Sequence, residues 1–222
     1  MTTPALVFDL DGTLIDTAPD LVAALNAVLM AEGHRAVNLA DLRHLVGHGA
    51  RAMLAEAMKR TGAPADPARL PAMFDAFVAH YREHIADESR PFPGVEATLS
   101  RLSAEGARLA VLTNKPQELA DLLMQTLGLA HHFGAIHGAG RLEVVKPDAR
   151  VFHHVLDEIG GEGSGAVMIG DSATDVNTAR AAGVPAILVT YGYRPEPAES
   201  LGADKITSDF CDIPALVRDL LG

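Results

Sequence analysis

The apolar positions of this chain fall into two kinds of pattern. Short β-prone runs lie at residues 5–8, 108–112, 166–169 and 186–189, and each after the first follows a stretch of helical periodicity. That alternation predicts βα units and a parallel sheet. One helix is expected over 117–127, opened by Pro116 and stopped by Gly128. Another is expected over 175–182, alanine-rich and closed by Gly183-Val184-Pro185.

From 16 to 90 the pattern changes. Leu21, Leu25, Val28 and Leu29 share one helical face, and further helical stretches follow at 52–60 and 72–84. No strand is expected between the first run and Arg108, so this stretch predicts an all-helical insertion. Thr17-Ala18-Pro19 and Pro91-Phe92-Pro93-Gly94 flank it as linkers.

Composition narrows the reading. A chain of 222 residues suits one domain, or one with a smaller domain inserted. Hydrophobic residues make up 48% and aromatic ones only 5%, so the core is aliphatic. No apolar run approaches the roughly 18 residues of a membrane span. Met1-Thr2-Thr3-Pro4 carries no basic segment, so no signal peptide is expected. A lone cysteine, Cys211, forbids an internal disulfide and fits a reducing cytoplasm. The formal charge of −11 opposes nucleic-acid binding. An anionic small molecule stays open if a metal and lysines reverse the field locally.

Candidate chemistry gathers at strand ends. The first run finishes in Asp9-Leu10-Asp11-Gly12-Thr13. Strand alternation puts Asp9 and Asp11 on one side with Leu10 turned away. Buried unpaired charge is expensive, so something positive is expected there. The second run ends in Thr113-Asn114-Lys115-Pro116, where a hydroxyl and an amide before a helix suit an anion or a helix cap. Lys146-Pro147-Asp148 aims an ammonium at a helix entrance. Gly170-Asp171-Ser172-Ala173-Thr174-Asp175 adds two more acids. Several aspartates at adjacent strand ends repel one another, and a hard divalent cation such as Mg2+ removes the conflict. Thr113, Asn114 and Lys146 then remain as phosphate donors, which together is equipment for phosphoryl transfer.

With these segments in this order, the chain resembles the haloacid-dehalogenase-like phosphatases along essentially its whole length. The matching positions are Asp9-x-Asp11-Gly12-Thr13, Thr113, Lys146 and Gly170-Asp171-x-x-x-Asp175. The resemblance implies an α/β fold, a doubly wound parallel sheet with an inserted helical cap. The catalytic core would be 1–15 with 91–222, and the cap 16–90. It further implies that Asp9 attacks phosphorus and forms an aspartyl-phosphate, while Asp11 serves as general acid and then base. Mg2+ would be held by the carboxylates of Asp9 and Asp171 and the backbone carbonyl of Asp11. Asp175 and Thr13 would stand just behind, Asp175 orienting the metal's water shell or Lys146. Asp11, Asp171 and Asp175 favour phosphatase over dehalogenase chemistry. Asp11 also argues against a phospho-accepting signalling domain, since it hydrolyses the intermediate.

Leu14-Ile15-Asp16-Thr17-Ala18-Pro19, Val46-Gly47-His48-Gly49-Ala50 and Thr190-Tyr191-Gly192-Tyr193 are similar to the branch of that family that hydrolyses 2-phosphoglycolate. Lys146-Pro147-Asp148-Ala149-Arg150 departs from it by lacking a second proline. Specificity is expected in the cap, with Gly47, His48, Gly49 and Arg51 as candidates for meeting the glycolate carboxylate. The expected partner is therefore a small phosphorylated metabolite, without nucleic acid or membrane, for a monomer or homodimer. His80-Tyr81-Arg82-Glu83-His84 matches a zinc-protease pattern by chance, having no third ligand. His131-His132 and His153-His154 are read as surface or supporting groups rather than metal ligands.

Overall fold

A computed structural model describes residues 3–42, 45–46, 49–62, 68–162 and 165–222. Its centre is a sheet of β1 (Ala5–Phe8), β4 (Arg108–Pro116), β5 (Ala135–Ala139), β6 (Ala166–Gly170), β7 (Ala186–Val189) and β8 (Lys205–Thr207). The spatial order is β5-β4-β1-β6-β7-β8, every pair parallel. The chain builds outward on one side of β1, then crosses to the other. Such a reversal leaves a crevice beyond the strands' carboxyl ends.

Side-chain alternation divides the apolar residues between two layers. Leu6, Phe8, Val111, Val167 and Ile169 face one layer, with α5 (Val95–Ala104), α6 (Gln117–Thr126) and α9 (Ile213–Leu221). Ala5, Val7, Ala110, Leu112 and Met168 face the other, against α7 (Ala149–Glu158) and α8 (Ala173–Ala182). Burial on both faces is why these strands read as unbroken apolar runs.

The stretch after β1 is helical: α1 (Ala18–Ala31), α2 (Leu39–Leu42), α3 (Ala50–Arg60) and α4 (Leu70–Glu83). Leu25, Leu29, Met53, Phe77 and Tyr81 are buried, and their apolar layer continues into that of the sheet. Two expectations are corrected here. The stretch is not strand-free at its borders: β2 (Ile15–Asp16) pairs antiparallel with β3 (Arg90–Pro91). Nor are Ala18 and Pro19 linker, because they form the first turn of α1, where proline's fixed φ suits a helix start. The buried Asp20 carboxylate fastens this crossing, accepting from Glu88 N at 2.9 Å, Ser89 N at 2.8 Å and Ser89 Oγ at 2.6 Å. The sheet also has two strands beyond the expected four, β5 and β8. The first has a weakly β-prone sequence, Ala-Ile-His-Gly-Ala, and the second is only three residues long.

Candidate active site

The expected segments meet at the carboxyl edge of β1, β4 and β6. Asp9 leaves β1 while its N–H still donates to Ile169 O at 2.9 Å, so its position follows the sheet. Gly12 then turns at φ +84°, and a Cβ there would come within 2.6 Å of Asp171 Oδ2, so only glycine allows this approach. Leu10 is fully buried in the apolar layer, which leaves Asp9 and Asp11 to the polar side.

Lys146 is the hub. Its Nζ lies 2.8 Å from Asp9 Oδ1 and donates to Asp175 Oδ1 at 2.6 Å. Asp175 has a second duty. Its Oδ2 accepts from Asp171 N, Ser172 N and Ser172 Oγ, which caps α8. Both oxygens of Asp175 are thus engaged. Gly170 makes room for it, since a Cβ would stand 2.2 Å from Asp175 Cγ. Asp171 is held by Tyr193 N–H at 2.7 Å, with the Thr13 hydroxyl farther off at 3.4 Å. Asn114, expected among the phosphate donors, also braces Lys146 while keeping its second amide N–H. Nδ2 donates to Lys146 O and Oδ1 accepts from Lys146 N, both at 3.0 Å, which fixes the lysine's loop. Thr113 is buried and its Oγ1 accepts from Lys115 N at 3.1 Å, which leaves the hydroxyl proton available.

Three residues of the site escaped the sequence reading as functional groups. Lys115 is buried, and its Nζ donates to Asp11 Oδ1 at 3.0 Å and to Tyr81 Oη at 2.8 Å, lying 4.6 Å from the Tyr81 ring centre. Thr17 Oγ1 also donates to Asp11, at 2.6 Å. Tyr193 links Asp171 to the helical segment: its hydroxyl accepts from Thr17 N at 2.7 Å and donates to Asp16 Oδ1 at 2.6 Å. One signal was present: a tyrosine on the apolar face of α4 must find a partner for its hydroxyl.

A cavity of about 500 Å³ lies over this edge. Asp9, Asp11, Lys146 and Asp171 line its floor, and Met53, Phe74 and Tyr81 come from the helical segment. Gly49 and Arg51 also border it, with the Arg51 guanidinium 4.5 Å over the Phe74 ring. Gly47 and His48 lie outside the described residues. His80 and His84 place their rings 4.5 Å apart, but among the described residues they belong to no group of three metal-ligating side chains.

The electrostatics are those of crowded carboxylates. Burial, with the charges of Asp175 and Asp11 added, pushes Asp9 up to about 7 against the pull of Lys146. Burial, with Asp175 and Asp9, pushes Asp171 up to about 8. Lys146 is itself held above the ordinary lysine range by Asp175 and Asp9, although burial opposes its charge. One ammonium shared by three carboxylates leaves negative charge to spare. Ligand oxygens of Asp9, Asp171 and Asp175 lie within 4.8 Å of one another. An all-oxygen donor set with excess negative charge fits a hard divalent cation. Since Asp175 is fully engaged, Asp9 and Asp171 are the carboxylates left to hold it.

Comparison with known proteins agrees with this geometry. A family model described as haloacid dehalogenase-like hydrolase matches residues 6–189. A phosphoglycolate phosphatase of Caulobacter vibrioides is 46% identical over 97% of this chain and 91% of its own length. That of Agrobacterium fabrum is 42% identical over 98% and 94%. Among solved structures, a predicted phosphoglycolate phosphatase from Haemophilus somnus superposes with a TM-score of 0.90 at 28% identity, covering 97% of this chain and 98% of that one.

Proposed function

The chain belongs to the haloacid dehalogenase-like hydrolases and is a phosphatase, and from that premise we propose that it hydrolyses 2-phosphoglycolate to glycolate and phosphate. The observation that carries the mechanism is Lys146. Its ammonium joins Asp9, beside Asp171, to a cavity large enough for a small phosphate ester.

In this reading an Asp9 carboxylate oxygen attacks phosphorus as the P–O bond to glycolate breaks, leaving an aspartyl-phosphate. The departing alkoxide takes a proton from Asp11. Asp11 then accepts a proton from water, whose oxygen attacks the phosphorus and frees Asp9 and inorganic phosphate. Lys146 and the Thr113 hydroxyl steady the transferring phosphoryl oxygens, and Asn114 and Asp175 keep Lys146 aimed. Lys115 and Thr17 fix the Asp11 carboxyl. The carboxylates of Asp9 and Asp171, with the backbone carbonyl of Asp11, would hold Mg2+, which supplies positive charge against the phosphoryl group when bound.

The helices α1–α4 act as a cap over the site, within residues 16–90, the core being 1–15 and 91–222. Two observations favour a carboxylated substrate. The named relatives are phosphoglycolate phosphatases, and the cations Lys115 and Arg51 border the cavity. The partner is then a small metabolite. Among the described residues no helix is long and apolar enough to cross a membrane, and the reading assigns the enzyme to the cytoplasm.

The test is kcat/KM, with and without Mg2+, on 2-phosphoglycolate, 3-phosphoglycerate, hexose phosphates and an aryl phosphate. A Mg2+-dependent preference for 2-phosphoglycolate of about a hundredfold, roughly 2.7 kcal/mol, is expected. A flat profile would replace this substrate with a broader range of sugar phosphates.

A further inference from the structure

At the β5 edge of the sheet three side chains meet that the phosphatase reading does not use. His137 is buried in the middle of β5, 2% exposed. His154 and Glu158 stand one turn apart on α7. His137 Nδ1 lies 3.7 Å from Glu158 Oε2, and His154 Nε2 lies 3.6 Å from Glu158 Oε1. The two imidazole rings are 5.3 Å apart at 73°. One ligand atom from each residue falls within 4.8 Å of the others.

His137 Nδ1 supplies a second observation. It is buried without a hydrogen-bond partner, an arrangement that folded proteins rarely tolerate without a reason. Zinc bonds of about 2.0–2.1 Å in a tetrahedron set ligand atoms roughly 3.4 Å apart. Each imidazole nitrogen already stands near that distance from a Glu158 oxygen, His137 Nδ1 from Oε2 and His154 Nε2 from Oε1.

We propose that His137, His154 and Glu158 form a metal site, distinct from the aspartate cluster, that takes a borderline divalent cation of the Zn2+ class with solvent in the fourth position. Two imidazoles and one carboxylate suit Zn2+, whereas Mg2+ prefers oxygen alone. The two clusters therefore sort cations by donor type. A bound ion would clip β5 to α7. Arg141 is the competitor. Its Nη2 donates to Glu158 Oε1, and its side chain is 38% exposed on the loop after β5, so an arriving dication displaces it toward solvent.

The test uses the full chain with Asp171→Asn, in excess Mg2+, so that the aspartate cluster does not recruit the probe. Zn2+ is titrated against a chromophoric chelator, and Co2+ absorption reports the ligand set. One equivalent of Zn2+ is expected. His154→Ala or Glu158→Gln should each weaken binding by more than the roughly 10- to 100-fold that loss of an outer partner costs. His153→Ala, altering the adjacent exposed histidine, should leave binding unchanged, and Arg141→Gln should tighten it. In the same excess of Mg2+, Zn2+ should also raise the melting temperature of the Asp171→Asn protein but not of Asp171→Asn combined with Glu158→Gln. Absence of a Zn2+ equivalent, or binding indifferent to both His154→Ala and Glu158→Gln, would overturn the site.

Discussion

Two buried lysines contact Asp9 and Asp11, the two aspartates proposed as catalytic, and they differ in what holds them. Lys146 is anchored by the α/β layers alone, by Asp9, by Asp175 in the first turn of α8 and by the Asn114 amide on its backbone. Lys115 is anchored half there and half outside, to Asp11 after β1 and to Tyr81 on α4. Both are held protonated, each above the ordinary lysine range, by carboxylates that outweigh burial. The difference teaches where preorganisation resides. Lys146, beside the proposed nucleophile Asp9, takes these partners from outside α1–α4, whereas Lys115, beside the proposed general acid Asp11, completes its contacts only under α4.

The strongest way to break this comparison is to remove Lys146. Lys146→Ala leaves Asp9 and Asp175 buried without their ammonium, which costs about 3–5 kcal/mol of stability in the metal-free protein. Its kcat should fall by about 10²–10³-fold, as for loss of a positioned electrostatic group. Lys115→Met should cost less, about 10-fold in kcat, because Thr17 still holds Asp11. If Lys115→Met proved the more damaging for chemistry, the two lysines' roles would have to be exchanged.

A pH series sharpens the same contrast. In the metal-free protein Asp9 titrates near 7 and Asp171 near 8, against an ordinary value of 3.8. Over that interval the folded chain binds more protons than the unfolded one, so its stability falls as pH rises from about 4 to about 8. Melting temperature should decline across this window, and saturating Mg2+ should remove most of the slope. A metal-free melting temperature that rose with pH would contradict the crowding of these carboxylates.

The smallest expected effect belongs to Tyr81→Phe. It keeps the ring and loses one hydrogen bond to Lys115, worth about 1 kcal/mol or severalfold in kcat/KM. The melting temperature should fall by no more than about 2–4 °C. A loss as large as that of Lys115→Met would mean that the hydroxyl has a role beyond orienting the lysine.

The same contrast explains what the sequence made legible. Lys146 stood out because a lysine locked by proline followed strands that end in acids, and charge balance required a cation. Lys115 drew no role of its own, for its partner Tyr81 lies 34 residues earlier on α4. Asn114 was recognisable as a polar strand end, but only the fold shows that its amide faces the Lys146 backbone. The parallel sheet was legible because four of its strands are buried on both faces. The ribbon of β2 and β3 was not, since two residues per strand carry no period.

The central claim is that Asp9 is the nucleophile and Asp11 frees it. An Asp11→Asn protein with Mg2+ and an aryl phosphate, whose leaving group needs no proton, tests this most directly. One equivalent of aryl alcohol should be released in a burst, and peptide mass analysis should find the phosphate on Asp9. A chain that stays unmodified, or that carries phosphate on another residue, would contradict the account.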